Sequence, residues 1–160
     1  MKATIALLAI AALCITLLYL ADDLVGLRID SNRLAQQLAV FTDMVGSDAQ
    51  LNPGDVTQPL FGDCSAFLGQ QISQPGYGGE VQMAVIITPP ANLSLRAMAH
   101  EETPGIGDFI DGTWLSARDG QPLSSWQTLD NVSGATVTTK AVQRGIATAI
   151  NNWELTCAGP

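Results

Sequence analysis

An uninterrupted apolar run at the amino terminus restricts this chain more than any other feature. After Lys2, the stretch 3–21 (ATIALLAIAALCITLLYLA) contains no charged residue. As a helix it would be roughly 28 Å long at about 1.5 Å per residue, which is close to the thickness of the hydrocarbon core of a bilayer. We therefore expect residues 1–21 to form a transmembrane anchor.

A cleaved secretion signal is the competing interpretation, because such signals also begin with a basic residue and an apolar segment. We favour the anchor, since the run is longer than a usual signal core and Tyr19 stands where cleavage needs a small residue. Cys14 is not expected to carry a lipid, because the bulky Leu13 precedes it. Lys2 before the run and Asp22 after it predict a single pass through the inner (cytoplasmic) membrane, with the carboxyl-terminal part on the periplasmic side.

The charge and the cysteines restrict what the rest of the chain does. The 160 residues carry a formal net charge of −8 at pH 7, which excludes a basic groove that neutralises nucleic-acid phosphates. A metal site is not expected, because His100 is the only soft ligand besides the cysteines. Cys64 and Cys157 lie beyond the anchor, where an oxidising compartment would allow them to pair. Two separate buried thiols are the alternative.

The segment between the anchor and the compact domain, residues 22–59, is predicted to be a helical stalk followed by a linker. Apolar residues recur there at helical spacing, at Leu34, Leu38, Phe41 and Val45. Gly46 ends this pattern, and the turn-forming stretch 47–59 (SDAQLNPGDVTQP) is typical of a linker. Residues 60–160 are then expected to form the domain.

Two alternating segments and one helical segment predict the fold of residues 60–160. The first segment has apolar residues at every second position, namely Val81, Met83, Val85 and Ile87. After a Pro-Pro break, the second has them at Leu93, Leu95, Ala97 and Ala99. We expect an antiparallel pair with one face on the core. A closing helix is predicted from the spacing of Val142, Ile146, Ile150 and Trp153. The fold class is therefore α+β, with one amino-terminal transmembrane helix, antiparallel strands and a carboxyl-terminal helix.

Small and hydroxylated residues cluster directly before the closing helix, in Asp130-Asn131-Val132-Ser133-Gly134-Ala135-Thr136-Val137-Thr138-Thr139. A helix amino terminus presents unpaired N–H groups and the positive end of its dipole, which together favour a phosphate. Gly134 and Ala135 would let the backbone approach such an anion closely. Taken alone, an ordinary turn with Thr138 or Thr139 as the helix cap explains the cluster as well.

A second unusual run, His100-Glu101-Glu102-Thr103-Pro104-Gly105-Ile106-Gly107-Asp108, follows the second alternating segment. The two glycines around Ile106 would allow this loop to bring backbone and an apolar side chain against a flat ring system. A turn with a solvated acidic edge is the alternative. No set of nucleophile, base and acid can be assembled around His100, so no catalytic residue is expected.

Three motifs, taken together and in order, resemble a known family. They are Gly76-Tyr77-Gly78-Gly79, then His100-x-Glu102-Thr103-Pro104-Gly105-x-Gly107-Asp108, and then Asp130-x-x-Ser133-Gly134-Ala135-Thr136. This arrangement resembles the FMN-binding domain of the Rnf complex G subunit and is similar to the C subunit of sodium-pumping NADH:quinone oxidoreductase. The resemblance covers residues 76–153, and the single anchor also fits those subunits.

The resemblance implies a covalent flavin. A flavin transferase, using FAD and a divalent metal, would esterify the FMN phosphate onto Thr136, and the motif it reads would be Asp130, Ser133, Gly134, Ala135 and Thr136. Thr138 would cap the helix or contact the phosphate, while Thr139 is a rival attachment point only if the motif were shifted. The ring system is expected to pack on the loop of Glu102, Thr103, Pro104, Gly105, Ile106 and Gly107. His100 and Glu102 would either tune the flavin potential or hold the loop.

The function implied by the resemblance is that of an electron-carrier subunit in a membrane-bound, ion-translocating oxidoreductase of the Rnf type, with the other membrane subunits as partners. The isolated chain is not expected to turn over. A free-standing extracytoplasmic carrier or sensor is an alternative that the sequence hardly separates from this one. A pilin-like structural protein fits the outline of an apolar helix followed by a small domain. It fails because the chain lacks a prepilin processing glycine and an early glutamate.

Overall fold

The computed structural model of this chain describes residues 2–46, 58 and 60–157. Its first helix, α1, is Lys2–Val45. The next residue, Gly46, stops the helix, and its φ of 87° lies in the left-handed region. Within the described residues, α1 is the one helix long and apolar enough to cross a membrane. Its large apolar side chains from Ile5 to Leu20 are all more than half exposed. The prediction that the helix continues to Val45 is confirmed, whereas the predicted linker 47–59 lies, apart from Gln58, outside the described residues.

The chain divides into two compact units, Met1–Gln36 and Gln37–Pro160. The second contains a five-stranded antiparallel sheet whose strands lie side by side in chain order. They are β1 (Leu60–Phe61), β2 (Leu68–Pro75), β3 (Glu80–Thr88), β4 (Asn92–Ala99) and β5 (Gln121–Pro122). Residues opposite each other include Ile72 with Met83 and Val85 with Leu95. The predicted antiparallel pair, β3 and β4, is confirmed.

One face of this sheet packs on the last helix, α4 (Thr136–Cys157). The core between them contains alternate strand residues and one side of the helix, including Ile72, Val81, Met83, Val85, Ile87, Leu93, Leu95, Val142, Ile146, Ala149 and Ile150. Gly145 permits this close approach, because a Cβ there would overlap the Met83 side chain. The predicted closing helix is therefore confirmed, with Trp153 partly buried at the edge of the core.

The opposite face of the sheet is also covered, so the prediction of a single buried face is wrong for β3. Ala84 and Ile86 project away from α4 and are nevertheless buried. On this face Phe61 lies against Gly69, where any Cβ would overlap its ring. Phe61 also packs edge-to-face on Phe41, with ring centroids 4.6 Å apart. The aromatic contact makes the last turns of α1 part of the folded unit.

Short helical segments between β4 and α4 complete the core. They are a 3₁₀ turn (Asp108–Asp111), α2 (Thr113–Ser116) and α3 (Leu123–Gln127). Each contributes one side chain that is no more than 2% exposed, namely Ile110, Leu115 and Trp126. These segments close the edge of the core that the sheet and α4 leave open.

A disulfide joins Cys64, in the loop after β1, to Cys157, the last residue of α4, with the two Cα atoms 5.4 Å apart. The sequence left this pairing open. Next to it, the carboxylate of Asp63 accepts hydrogen bonds from the Ser65 hydroxyl (2.7 Å) and the Ala66 N–H (2.9 Å). These bonds lower the pKa of Asp63 below its usual value. The loop is thus fixed both covalently and by local hydrogen bonds.

Candidate functional site

A cleft of about 320 Å³ lies where three segments meet: the turn between β2 and β3, the loop after β4 and the amino terminus of α4. Its lining consists of Tyr77, Glu102, Thr103, Ile106, Gly107, Gly134, Ala135, Thr136, Val137 and Thr138. The fold therefore brings together all three sequence motifs. A volume of this size lies at the lower end of the range for sites that enclose small molecules.

Most of the residues proposed from the sequence to bind a cofactor line this cleft, but not all. Ser133, Pro104 and Gly105 belong to the same two loops without lining it, and Asp130 is exposed outside it. Tyr77 and Val137, which were not predicted to be site residues, do line it. The site is thus formed by the predicted loops, with a partly different set of side chains.

A tight turn leads into α4. The Ala135 N–H donates to the Val132 carbonyl at 3.1 Å, and Gly134 inside this turn has a φ of 83°. That backbone conformation favours glycine, because other residues meet a steric penalty there. The first N–H groups of the helix, beginning at Thr136, have no carbonyl of an earlier turn to bind. They are available to an anion in the cleft.

Three threonines lie in the first turn of α4, and their hydroxyls differ. Thr138 and Thr139 are 1% and 0% exposed. The Thr138 hydroxyl donates to Oε2 of Glu102 at 2.6 Å, and the Thr139 hydroxyl donates to the Ala135 carbonyl at 3.0 Å. The Thr136 side chain is exposed, and among the described residues its hydroxyl has no hydrogen-bond partner. Since α4 begins at Thr136, the alternative that Thr138 or Thr139 caps the helix is wrong.

Glu102 connects the three segments that form the cleft. Its side chain is buried, with 6% of the residue exposed. Oε1 accepts hydrogen bonds from the backbone N–H groups of Tyr77, at 2.7 Å, and Gly78, at 3.4 Å. Oε2 accepts the hydrogen bond from Thr138. A single carboxylate thus ties the turn after β2 and the start of α4 to the loop that carries it.

The glycines of the motifs make room for this junction. A Cβ on Gly76 would overlap Oε1 of Glu102, and one on Gly107 would lie 2.6 Å from Oε2. Gly105 differs, because space around it is open and its φ of 77° is what requires glycine. Gly107 thus both lines the cleft and packs on Glu102.

His100 holds the loop from outside the cleft. Its Nδ1 accepts the Glu102 N–H at 3.2 Å, and its Nε2 lies 2.9 Å from Oδ2 of Asp111. Because Nδ1 is an acceptor, a neutral ring with its proton on Nε2 satisfies both contacts. Of the two roles that the sequence left open for His100, this geometry matches the structural one.

Three exposed apolar side chains surround the cleft. Tyr77 is 74% exposed, Ile106 54% and Val137 46%. Apolar side chains grouped at a concave site are typical of the surface that a flat organic ligand covers. A tyrosine between glycines was a usable signal in the sequence, whereas Val137 offered none.

Comparison with known proteins identifies the domain family that this part of the chain matches. Residues 76–151 match the family model described as FMN-binding domain. These residues belong to the FMN-binding domain family. The matched segment runs from the turn before β3 into α4 and includes every residue that lines the cleft.

The chain that contains this FMN-binding domain is similar to proteins named as the G subunit of an ion-translocating oxidoreductase complex. The one from Pseudomonas aeruginosa is 33% identical over 141 residues, which cover 78% of this chain and 65% of that protein. The one from Vibrio cholerae is 28% identical over 149 residues, covering 84% of this chain and 71% of that protein. The one from Stutzerimonas stutzeri is 36% identical over 95 residues, which cover 50% of this chain and 42% of that protein. The predicted resemblance is confirmed, and the chain spans just under two thirds of the Pseudomonas aeruginosa protein.

The cleft of the FMN-binding domain fits the parts of FMN. The free N–H groups of α4 suit a phosphate, and the exposed Thr136 hydroxyl stands beside them. Tyr77, Ile106 and Val137 suit an apolar ring system. Among the described residues, no three His, Cys, Asp or Glu side chains converge to hold a metal ion.

Proposed function

We propose that this chain is an electron carrier that holds FMN covalently, through a phosphodiester to Thr136. One observation carries the proposal: in the first turn of α4, Thr136 alone among the three threonines has an exposed hydroxyl, and it lines the cleft of an FMN-binding domain. Bound FMN supplies one- and two-electron redox chemistry, and the protein supplies position, electrostatics and exclusion of water.

The residues of the cleft divide these tasks. The amino terminus of α4 stabilises the negative charge that remains on a phosphodiester at Thr136. Tyr77, Ile106 and Val137 shield the ring system from water. Glu102 and His100 keep the loop after β4 in place through their hydrogen bonds.

Attachment requires a separate enzyme. A threonine hydroxyl is a poor nucleophile without a base, and among the described residues no carboxylate or imidazole hydrogen-bonds to the Thr136 hydroxyl. We propose that a flavin transferase provides this activation with FAD and a divalent metal. The Thr136 oxygen would form a bond to the phosphorus on the FMN side of FAD, AMP would leave with the bridging oxygen, and the transferase would accept the hydroxyl proton.

The similarity to these G subunits supports a place in an ion-translocating oxidoreductase complex of the Rnf type, with other subunits of that complex as partners. Residues 1–21 would anchor the chain in the inner membrane, residues 22–59 would form the stalk and linker, and residues 60–160 would carry FMN on the periplasmic side. The oxidising compartment suits the Cys64–Cys157 disulfide. Copurification with polytopic membrane subunits distinguishes this proposal from a free-standing carrier or sensor.

Substitution of Thr136 tests the attachment. Thr136→Ala is compared with Thr113→Ala, which removes another exposed threonine at the first position of a helix, α2, outside the cleft. Both variants are produced in a host with an active flavin transferase and run on a denaturing gel. We expect in-gel flavin fluorescence for Thr113→Ala and none for Thr136→Ala, with unchanged circular dichroism in both. A fluorescent Thr136→Ala band refutes the assignment.

A further inference from the structure

The cleft has one charged side chain in its lining, Glu102, among the residues that the structure describes. Both of its oxygens accept hydrogen bonds from protein donors, and an acceptor-only carboxyl group is an ionised one. The hydrogen bonds leave little freedom for the carboxylate to turn towards solvent. A fixed negative charge therefore stands in the wall of the cleft.

No cationic side chain within the described lining neutralises this charge. His100 contacts the backbone N–H of Glu102 and not its carboxylate. Two neighbouring acids in the loop do not line the cleft: Glu101 is exposed and Asp108 is half-buried. Water is largely excluded from a residue that is 6% exposed, so screening of its charge is weak.

We propose that Glu102 lowers the reduction potential of the FMN held in this cleft. The inference rests on the function proposed above. Reduction of the isoalloxazine ring by two electrons and one proton gives it one additional negative charge, whereas uptake of a second proton leaves it neutral. A fixed carboxylate nearby makes the charged product less favourable.

The role assigned to Glu102 concerns its charge, because its hydrogen bonds are already made within the protein. Oε1 is occupied by the N–H groups of Tyr77 and Gly78, and Oε2 by the Thr138 hydroxyl. A glutamine in its place keeps the size and an acceptor oxygen but removes the charge. Substitution by glutamine therefore separates the electrostatic contribution from the structural one.

The test is the midpoint potential of covalently loaded full-length protein, measured by dithionite titration with redox mediators at fixed pH. Glu102→Gln is compared with Glu101→Gln, which removes the same charge from the exposed neighbour outside the lining. We expect Glu101→Gln to match wild type. In Glu102→Gln we expect the ratio of reduced to oxidised flavin at the wild-type midpoint to rise about tenfold, which corresponds to about 30 mV for a two-electron couple.

A second variant covers the case in which Glu102→Gln does not load. Thr138→Val removes one hydrogen bond to the carboxylate and keeps its charge. A lower potential in that variant supports the role of the charge, because the carboxylate loses a donor that partly offsets its negative charge. If Glu102→Gln does not load, an unchanged or higher potential in Thr138→Val overturns that role. An unshifted potential in loaded Glu102→Gln also overturns it and leaves Glu102 structural. Wild-type protein without covalent flavin contradicts the proposed attachment, and this inference with it, whereas loaded protein with no shift contradicts this inference alone.

Discussion

Gly107 and Gly112 stand at the two ends of the 3₁₀ turn after the cleft loop, and their surroundings differ. Both have backbone angles open to any residue, with φ of −98° and −89°. A Cβ on Gly107 would lie 2.6 Å from Oε2 and 2.8 Å from Cβ of Glu102. The nearest atom to a Cβ on Gly112 is the Phe109 carbonyl oxygen, at 3.4 Å. A comparison of alanine substitutions at these two positions therefore separates the effect of packing against Glu102 from the effect of losing a glycine.

Gly107→Ala should lower the free energy of unfolding by about 1–3 kcal/mol, because a methyl group is forced into a filled space. Gly112→Ala should change it by less than about 0.5 kcal/mol. Urea unfolding in detergent, followed by tryptophan fluorescence, measures both. Equal stabilities of the two variants would show that Glu102 moves aside readily and does not form a rigid junction.

At the scale of residues, the sequence indicated which residues form the site but not which hydrogen bonds they make within the protein. Thr136 and Gly134 could be predicted because they stand in a recognisable motif at a helix start. The partners of Glu102 could not, since two of them are backbone N–H groups that any residue supplies. Val137 follows Thr136 in the same turn and carries no signal of its own.

Among the elements, β2 shows how a polar residue can be part of a core. Gln70 is 0% exposed and faces α4. Its Nε2 donates to the Ala149 carbonyl at 2.9 Å, and its Oε1 accepts from Nδ2 of Asn152 at 3.0 Å. The amide thus connects the strand to the helix through both of its ends.

Gln70→Ala should lower the free energy of unfolding by about 2–3 kcal/mol, since it leaves a cavity and removes partners from buried polar groups. Gln71→Ala, at the next and partly exposed position of the same strand, is the control and should cost less than about 1 kcal/mol. Thermal unfolding compares them. A loss that is no greater for Gln70 than for Gln71 would argue against the hydrogen bonds as a link between β2 and α4.

The elements that could be predicted are those long enough to show a period. Strands β3 and β4 alternate over eight residues or more, and α4 spans 22 residues. The eight residues of β2 show no alternation of apolar and polar residues, because Gly69 and Gln70 occupy buried positions there. Strands of two residues and helices of four or five are too short for any periodicity, so β1, β5, α2 and α3 followed only from the fold.

For the molecule as a whole, the disulfide closes a large covalent loop, with a sequence separation of 93 between Cys64 and Cys157. The double variant Cys64→Ala/Cys157→Ala should lose about 2–5 kcal/mol of stability, because its unfolded chain is less restricted. Cys14→Ala removes the exposed free cysteine of α1 and should not change the melting temperature. Differential scanning calorimetry in detergent makes the comparison, and an unchanged double variant would show that packing alone holds the end of α4.

The most direct test of the covalent carrier is the intact mass of the denatured full-length chain, isolated from a host with an active flavin transferase. We expect the mass of the chain plus one FMN less one water, with the addition located on the peptide that contains Thr136. An unmodified chain under those conditions would contradict it. The turn before α4 would then be no more than the start of a helix.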